Sequence, residues 1–580
     1  MGDDFRVGDW MIVPGQNAIS RRGTTVHLEP KVMEVLACLA QQAGQTVSKE
    51  TLFQTVWRGT VVSDDVLTRC IVELRRAFED HARESRIIQT IPKRGYRLVA
   101  PVTAAAAVVP APSAVRDSIV VLPFVNMSAD PENDYFADGV TEEIINALAQ
   151  IRELHVVARS SAFSFKGKHI DPRIVGEQLN VRTVLEGSVR RADNRLRITG
   201  QLINAADGYH LWSERYDREM KDVFEIQDEI ARGIVRRLKL TLEGGEEHPL
   251  IKAGTQNLEA YQLYLKGRAL LPRRGAAMQY KDCFEQAVKL DPNFAQACSG
   301  LADSHTVLGY MGMVRPEVSM PKGLEAARRA VALDATLAEA HNALAIASLM
   351  GAWDRAEAER EFRRALELNP KHVQARIWYA LYYLMLSEGR VVEATAEAKL
   401  AIESDPLSSY AHSMYGFICA YAGDYGRGIE ATRRGLELDF ESYLARFVRQ
   451  EVLRVTGKFE EAVAAGELAL AVSGRHTWAM TLLALTCADW GKSGESDALY
   501  AEMLARSRRQ YVSPAQLAST AAAASREDEA MSHAREAVEI RDPHCQIWFS
   551  RYARVGDRLW AYPRFREVIA LMGRDDWLRH

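Results

Sequence analysis

SDDVLTRCIVELRRAFEDHARESRIIQTIPKRGYRLV, residues 63–99, is the stretch whose reading decides the amino-terminal fold. Ser63 is placed to cap a helix, because its hydroxyl can accept an orphan backbone N–H; Asp64 and Asp65 then set negative charge at the positive end of the helix dipole. Leu67, Cys70, Ile71, Leu74, Ala77 and Phe78 recur at helical spacing and make one apolar face. The opposite face carries Asp65, Arg69, Val72 and Arg76, flanked by Thr68, Glu73 and Arg75. A helix buried on one side with arginines on the other is what major-groove reading needs, since such side chains reach base edges and neutralise phosphates. Beyond it, Arg86–Ile91 and Tyr96–Val99 predict two short strands joined by Pro-Lys-Arg-Gly. Pro92 pre-sets the turn and Gly95 can take positive φ. The hairpin presents Lys93 and Arg94 at its tip, with Tyr96 next in line. From Arg69 to Val99 eight basic residues stand against four acidic ones, in a chain of net charge −4. A solvated helix and an ordinary hairpin would give the same pattern, because charge runs usually mark solvent faces.

Working outward, Phe5–Val13, Ala18–Ser20 and Thr24–Leu28 predict short strands, and Lys31–Ala43 and Lys49–Trp57 predict helices, the second capped by Ser48. This order of elements resembles the OmpR/PhoB-type winged helix-turn-helix domain, an α+β fold. LEPKVMEVLACLAQQAGQTVSKETLFQTVW, LRRAF and TIPKRGYRLV carry the likeness, and TIPKRGY is most similar to the ToxR-like branch. The resemblance spans residues 3–101. It implies that the helix from Asp64 enters the major groove while the wing meets the minor groove or backbone. The positions so implicated are Thr68, Arg69, Val72, Glu73, Arg75, Arg76, Lys93, Arg94 and Tyr96. It also implies that the loop of Arg58, Gly59, Thr60, Val61 and Val62 can touch RNA polymerase. Val72 and Glu73 depart from the arginines that response regulators often carry there, which leaves the recognised bases open. Response regulators of this family usually place a phosphoacceptor domain before the winged helix; here that input is expected to be missing and switching to come from elsewhere.

At 580 residues, with 47% apolar and 26% charged residues, the chain is too long for one core and reads as an ordinary multidomain globular protein. The near-neutral charge excludes a protein that coats nucleic acid along its whole length. MGDDFRVGDW lacks the basic and apolar regions of a signal peptide. The seven cysteines are odd in number, scattered and free of CxxC spacing, which suits reduced core thiols in a cytoplasm. PVTAAAAVVPAPSAV reads as a Pro/Ala linker over residues 102–117; its prolines and alanines fall short of the roughly 20 strongly apolar residues of a membrane span.

Residues 118–242 form a second unit. Ile119–Phe124 predicts a buried strand, Gly139–Ile151 a helix opened by Asp138, His155–Ala158 a strand and Asp171–Leu179 a short helix. Val181–Arg190, Arg195–Asn204 and Tyr209–Tyr216 alternate as strands, and Phe224–Leu242 closes with a helix. VVLPF, YFADGVTEEIINAL, VLEGSVRR and HLWSERYDR resemble the TolB N-terminal-like α/β sandwich, a likeness that implies no reaction. Tyr209, Trp212 and Tyr216 could line a ligand pocket or pack on the sheet face, and packing is the preferred reading.

A second linker is expected at 243–257. Beyond it, helical units end at Asp291, Asp334, Asn369, Asp405, Asp439 and Ser473, spaced 43, 35, 36, 34 and 34 residues apart. Ala358, Phe362, Ala365 and Pro370 show the A…F..A….P pattern of the tetratricopeptide repeat, so residues 258–580 resemble an all-α solenoid of about eight units with a cap from Asp542. The 43-residue step predicts a loop insertion near Met311–Met320. Stacked units would leave a concave face for a protein or peptide, or serve as a structural spine.

Gly491-Lys492-Ser493 lacks the preceding glycine and strand of a phosphate loop, and Gly426-Arg427-Gly428 falls between repeat helices rather than after a strand. The 14 histidines are spread singly, with no HExxH or GxSxG, so no catalytic, cofactor or metal constellation is expected. The whole reads as a cytoplasmic bacterial transcriptional regulator, not an enzyme. Its partners would be promoter DNA, RNA polymerase and a repeat-bound protein, with no membrane and with homodimerisation on DNA open. The alternatives are a scaffold whose winged helix no longer binds and an enzyme with its chemistry in residues 118–242.

Overall fold

The structure, a computed structural model, describes residues 5–579 except 9, 15–17, 22–23, 58–63, 79, 81–84, 93, 105–116, 131–132, 150, 152, 169, 193, 239–253 and 272–275. It divides into two compact units, Met1–Ser113 and Ala114–His580.

In the first unit β1 (Phe5–Val7), β2 (Trp10–Val13), β3 (Ala18–Arg21) and β4 (Thr24–His27) form an antiparallel sheet. Next come α1 (Pro30–Gln41), β5 (Thr46–Val47), α2 (Lys49–Val56) and α3 (Asp64–Ala77). β6 (Ile88–Ile91) and β7 (Gly95–Leu98) make the terminal hairpin, with β5 on the far side of β7. β8 (Val102–Ala104) then returns to pair with β1, so the sheet takes three residues that were expected in the linker. Ser48 caps α2 by accepting the Thr51 N–H at 3.1 Å, as its position suggested. Leu67, Ile71 and Leu74 are at most 1% exposed and pack with Val35, Leu36, Leu52 and Phe78. Each such side chain contributes about 1.5–3 kcal/mol of burial, an upper bound because the unfolded chain already hides some area. The expected Ser63 cap lies outside the described residues.

The second unit opens with a mixed sheet. Its elements are β9 (Ser118–Val121), β10 (Val125–Asn126), α4 (Asp134–Ala149), β11 (His155–Val156), α5 (Arg159–Phe163) and α6 (Pro172–Leu179). Three long strands, β12 (Thr183–Ala192), β13 (Arg195–Asn204) and β14 (His210–Glu219), precede α7 (Val223–Leu238). The strand order is β11-β9-β12-β13-β14, parallel up to β12 and antiparallel beyond it. β9 is buried along its whole length, which is why it reads as an unbroken apolar run. It stops at Val121 rather than Phe124, and α4 begins a turn earlier than Asp138 suggested.

Helix pairs follow: α8 (Leu258–Leu270) with α9 (Ala277–Leu290), α10 (Ala295–Tyr310) with α11 (Pro316–Leu333), and α12 (Ala338–Ala347) with α13 (Arg355–Leu368). α14 (Val373–Trp378) pairs with α15 (Val391–Ser404), α16 (Ser409–Tyr421) with α17 (Tyr425–Leu438), and α18 (Tyr443–Val455) with α19 (Phe459–Val472). α20 (Thr477–Asp489) with α21 (Ser493–Ser507) and α22 (Pro514–Ala523) with α23 (Glu527–Glu539) complete this tetratricopeptide-like region. Short helices α24 (Cys545–Trp548), α25 (Asp557–Trp560) and α26 (Phe565–Leu571) end the chain. The extra length in the second pair is not a loop across Met311–Met320: from Pro316 it extends α11, with Pro321 inside the helix. α12 and α14 each run on into a π-helical segment, Ser348–Ala352 and Tyr379–Ser387.

Among the first helices of the pairs, α10 and α20 are buried at most of their residues and α22 at every one. The concave face expected to be open is covered by the chain itself. Tyr310 on α10 meets Trp478 on α20 edge-on at 5.8 Å, closing the curve five pairs later. Trp548 packs on Trp478 at 5.9 Å, and the Trp478 indole N–H donates to His544 at 2.9 Å. Trp577 donates to the Ser387 carbonyl at 3.1 Å, and Ser550 donates to Leu386 at 2.6 Å. The sheet module docks on the same body. Glu142 takes both Arg268 and Arg159, the latter at 3.0 Å, while Ser160 and Ser161 hold Asp405, with the Ser161 N–H at 3.1 Å. Burial alone would raise the Glu142 carboxyl, but the two arginines hold it below its ordinary value.

Candidate nucleic-acid interface

α3 owes its two faces to its sequence period. Leu67, Cys70, Ile71 and Leu74 point into the core, while Thr68, Arg69, Val72 and Arg76 stand exposed on the outer side. Asp64 and Asp65 in the first turn and Arg75 and Arg76 in the last both favour the helix dipole. The Arg69 side chain is 78% exposed, with a loose 4.0 Å ion pair to Glu29. Val72, between the two outer arginines, is 59% exposed. Such a methyl-bearing side chain suits contact with a thymine methyl in a major groove. Lys49 pairs with Asp64 at 2.5 Å, and that hydrogen bond holds the ammonium above its usual range.

The structure separates the expected contact residues into groups. Arg75 is turned away from the outer face: its guanidinium donates to the Ile88 carbonyl at 2.9 Å and to Thr90 Oγ1 at 2.9 Å, so it ties α3 to the wing. Glu73 lies half-buried beside it. Tyr96 is 7% exposed and belongs to the core, so the expectation that it reaches DNA is corrected: its place in β7 turns the ring inward. Arg94 is exposed at the hairpin tip. Lys93 and the loop of Arg58, Gly59, Thr60, Val61 and Val62 lie outside the described residues.

Two features that hold the interface in place were not singled out beforehand. Asp80, 8% exposed, accepts the backbone N–H groups of Arg86 at 2.8 Å, Ile87 at 3.3 Å and Ile88 at 2.8 Å, fastening the start of β6 behind α3. Gly95 sits at φ +139°, and a Cβ there would lie 2.0 Å from the Val47 carbonyl oxygen, so only glycine lets β7 close on β5. The turn glycine was legible; the approach of β5 was not. A short acidic side chain three residues past a helix is the signal that could have marked Asp80.

The family model described as "Transcriptional regulatory protein, C terminal" matches residues 23–98, the span that holds α3, the Asp80 clamp and the wing. The amino-terminal unit carries an OmpR/PhoB-type DNA-binding domain. "Transcriptional activator CadC" of Escherichia coli (strain K12) is 41% identical over 98 residues, 17% of this chain and 19% of that protein. "Putative adenylate cyclase 3" of Rhizobium meliloti (strain 1021) is 42% identical over 248 residues, 42% of each chain. "Transcriptional regulator HilA" of Salmonella typhimurium is 25% identical over 447 residues, covering 74% of this chain and 76% of that one. Of the first two proteins the chain therefore spans only about a fifth and about two fifths of the length. In the OmpR/PhoB-type domain, Thr68, Arg69, Val72 and Arg76 share one exposed helical face.

Elsewhere the set-aside motifs have structural places. Lys492 lies 3.6 Å over the Trp490 ring at the turn into α21, where Gly491 has φ +82°. Gly426, Arg427 and Gly428 fall in the first turn of α17 rather than between helices, and Gly428 lets α17 approach Ala420 closely. Of the three aromatics, Tyr216 on β14 is buried, Trp212 on β14 packs over Gly200 and Gly233, and Tyr209, just before the strand, is 74% exposed. All seven cysteines are buried and free, and burial pushes the Cys70 thiol up. No helix among the described residues is long and apolar enough to cross a membrane.

Proposed function

We propose that the chain is a cytoplasmic transcriptional regulator whose OmpR/PhoB-type domain reads promoter DNA through the outer face of α3, with Arg94 and Lys93 of the wing on the adjacent groove or backbone. One observation carries this reading: Arg69, Val72 and Arg76 stand exposed on a helix whose other side is locked into the core. Arg69 and Arg76 are suited to guanine edges or phosphates, Thr68 to either, and Val72 to a thymine methyl. Arg75 acts in this reading by positioning the wing. The Arg58–Val62 loop is the proposed polymerase contact. The α/β module and the repeats would supply signal input and partner binding rather than catalysis; the activity named for the Rhizobium relative would then be absent, and the chain incubated with ATP would yield no cyclic AMP.

The test is retention of genomic fragments by the full chain, followed by anisotropy titrations on the retained duplex. Arg69→Ala and Arg76→Ala are each expected to weaken binding by about 1–3 kcal/mol and, where the contact is to phosphate, to lower the salt slope by about one. A full chain that retains no duplex even at low ionic strength would overturn the reading in favour of a scaffold with a non-binding winged helix.

A further inference from the structure

Strand β14 is the open edge of the six-stranded sheet: it pairs with β13 on one side, and nothing among the described residues pairs with the other. The Met220 N–H donates to the Asn194 carbonyl at 2.9 Å, and Arg195 stands opposite Glu219, so Trp212, Glu214, Tyr216 and Arg218 bond inward to β13, up to the register shift beside His210. The N–H and C=O groups of Ser213, Arg215, Asp217 and Glu219 therefore face outward, and all four residues are exposed. A ten-residue edge of this kind is a template for another strand unless its side chains forbid it.

The side chains forbid most strands and admit one. We infer that β14 is the self-association edge of this protein, pairing antiparallel with β14 of a second copy about a two-fold axis at Tyr216. A two-fold axis normal to the sheet always passes through a residue, so the possible registers can be tested one at a time. Centred on Glu214, Arg215, Asp217, Arg218 or Glu219, each places that charge against its own copy; centred on Ser213 or Trp212, no arginine meets a carboxylate within the strand and the joint runs into the slip in pairing between His210 and Trp212. Centred on Tyr216, Glu214 faces the second copy's Arg218 and Arg215 faces its Asp217, each contact made twice. Opposite charges directly across a strand pair stabilise it and like charges oppose it, so the pattern that blocks unrelated edges selects this register. Asp217 already pairs with Arg195 at 2.6 Å and Arg197 at 2.5 Å on β13, so the Glu214–Arg218 pairs carry most of the discrimination. Arg218 reaches Glu229 at 3.2 Å within its own chain, which leaves Glu214 and Glu229 to share it across the joint. The result would be a continuous sheet through two copies, formed without any contribution from the DNA-binding unit, so this inference stands whether or not the chain binds promoter DNA.

Sedimentation velocity of the full chain at micromolar concentration tests it, with circular dichroism confirming that each variant is folded. The natural chain is expected to sediment as a dimer. Glu214→Arg, which sets like charges face to face twice, is expected to weaken dimerisation about tenfold or more. The double exchange Glu214→Arg with Arg218→Glu is expected to restore it. Arg215→Pro removes an outward N–H without touching a bond to β13 and is expected to abolish the dimer. A monomeric natural chain overturns the inference, and so does a dimer that survives both Glu214→Arg and Arg215→Pro. A double exchange that stays as weak as the single one overturns the Tyr216 register.

Discussion

Replacing Asp80 with alanine is the sharpest probe of how the reading helix and the wing are held together. The carboxylate gathers three consecutive backbone donors, and its own N–H donates to the Arg75 carbonyl at 2.8 Å. Arg86 is exposed, so water can replace its bond; the Ile87 bond at 3.3 Å is long and counts for little. Ile88 is 0% exposed, and its 2.8 Å bond to Asp80 has no ready substitute. An orphaned buried donor costs about 1–3 kcal/mol, and a bond to a charged acceptor contributes about 1.5–3 kcal/mol. The expected loss is therefore about 2 kcal/mol, concentrated at the root of the wing. Hydrogen exchange of the full chain should show the amides of residues 86–88 opening roughly thirtyfold more readily, since 1.4 kcal/mol is about a factor of ten. Affinity for retained duplex should fall by less, because DNA contact re-orders the same segment. Asp80→Asn keeps one acceptor oxygen and should lie between. Unchanged exchange at residues 86–88 in Asp80→Ala would refute the clamp.

Gly95→Ala should destabilise the amino-terminal unit by about 2–4 kcal/mol, because the backbone carbonyl of Val47 cannot yield as a side chain could; calorimetry that finds its transition unmoved would contradict the close approach of β5 and β7. Glu143 on α4 is pushed from its usual 4.5 to about 7 by burial and by the neighbouring Glu142 carboxylate. The folded value is raised, so the stability tied to the protonated form is complete below about 4.5 and is lost as pH rises towards 7. Glu143→Gln should accordingly match the natural chain at pH near 4 and exceed it by about 2–3 kcal/mol above pH 7, read as the difference between two denaturation series; parallel pH profiles would refute the assignment.

What the sequence made legible is whatever depends on near neighbours. The inward face of α3 follows from the spacing of Leu67, Cys70, Ile71 and Leu74, and the Ser48 cap from one hydroxyl before a helix. The 34-residue period announced the helix pairs because each repeat packs chiefly on the next. Features set by distant partners stayed hidden. Tyr96 follows two basic residues and reads as part of the wing tip, yet the alternation of β7 turns it inward. Arg75 lies beside Arg76 in sequence but is captured by the Ile88 carbonyl and the Thr90 hydroxyl of a strand formed later in the chain. Trp478 looks like any inner-helix aromatic until Tyr310, His544 and Trp548 are seen to converge on it.

That convergence fixes the architecture's arithmetic. An open stack can gain or lose a module and re-form the same joint between neighbours, and its ends can fray one at a time. Here Tyr310 and Trp478 are partnered across the bore, and the tail that follows is cut to the remaining space. Inserting or deleting one module would shift every cross-bore pairing by a step and leave the tail without its seat. Divergence in this part of the molecule is thus channelled into residue exchanges at constant module number, and its melting should be a single all-or-none event.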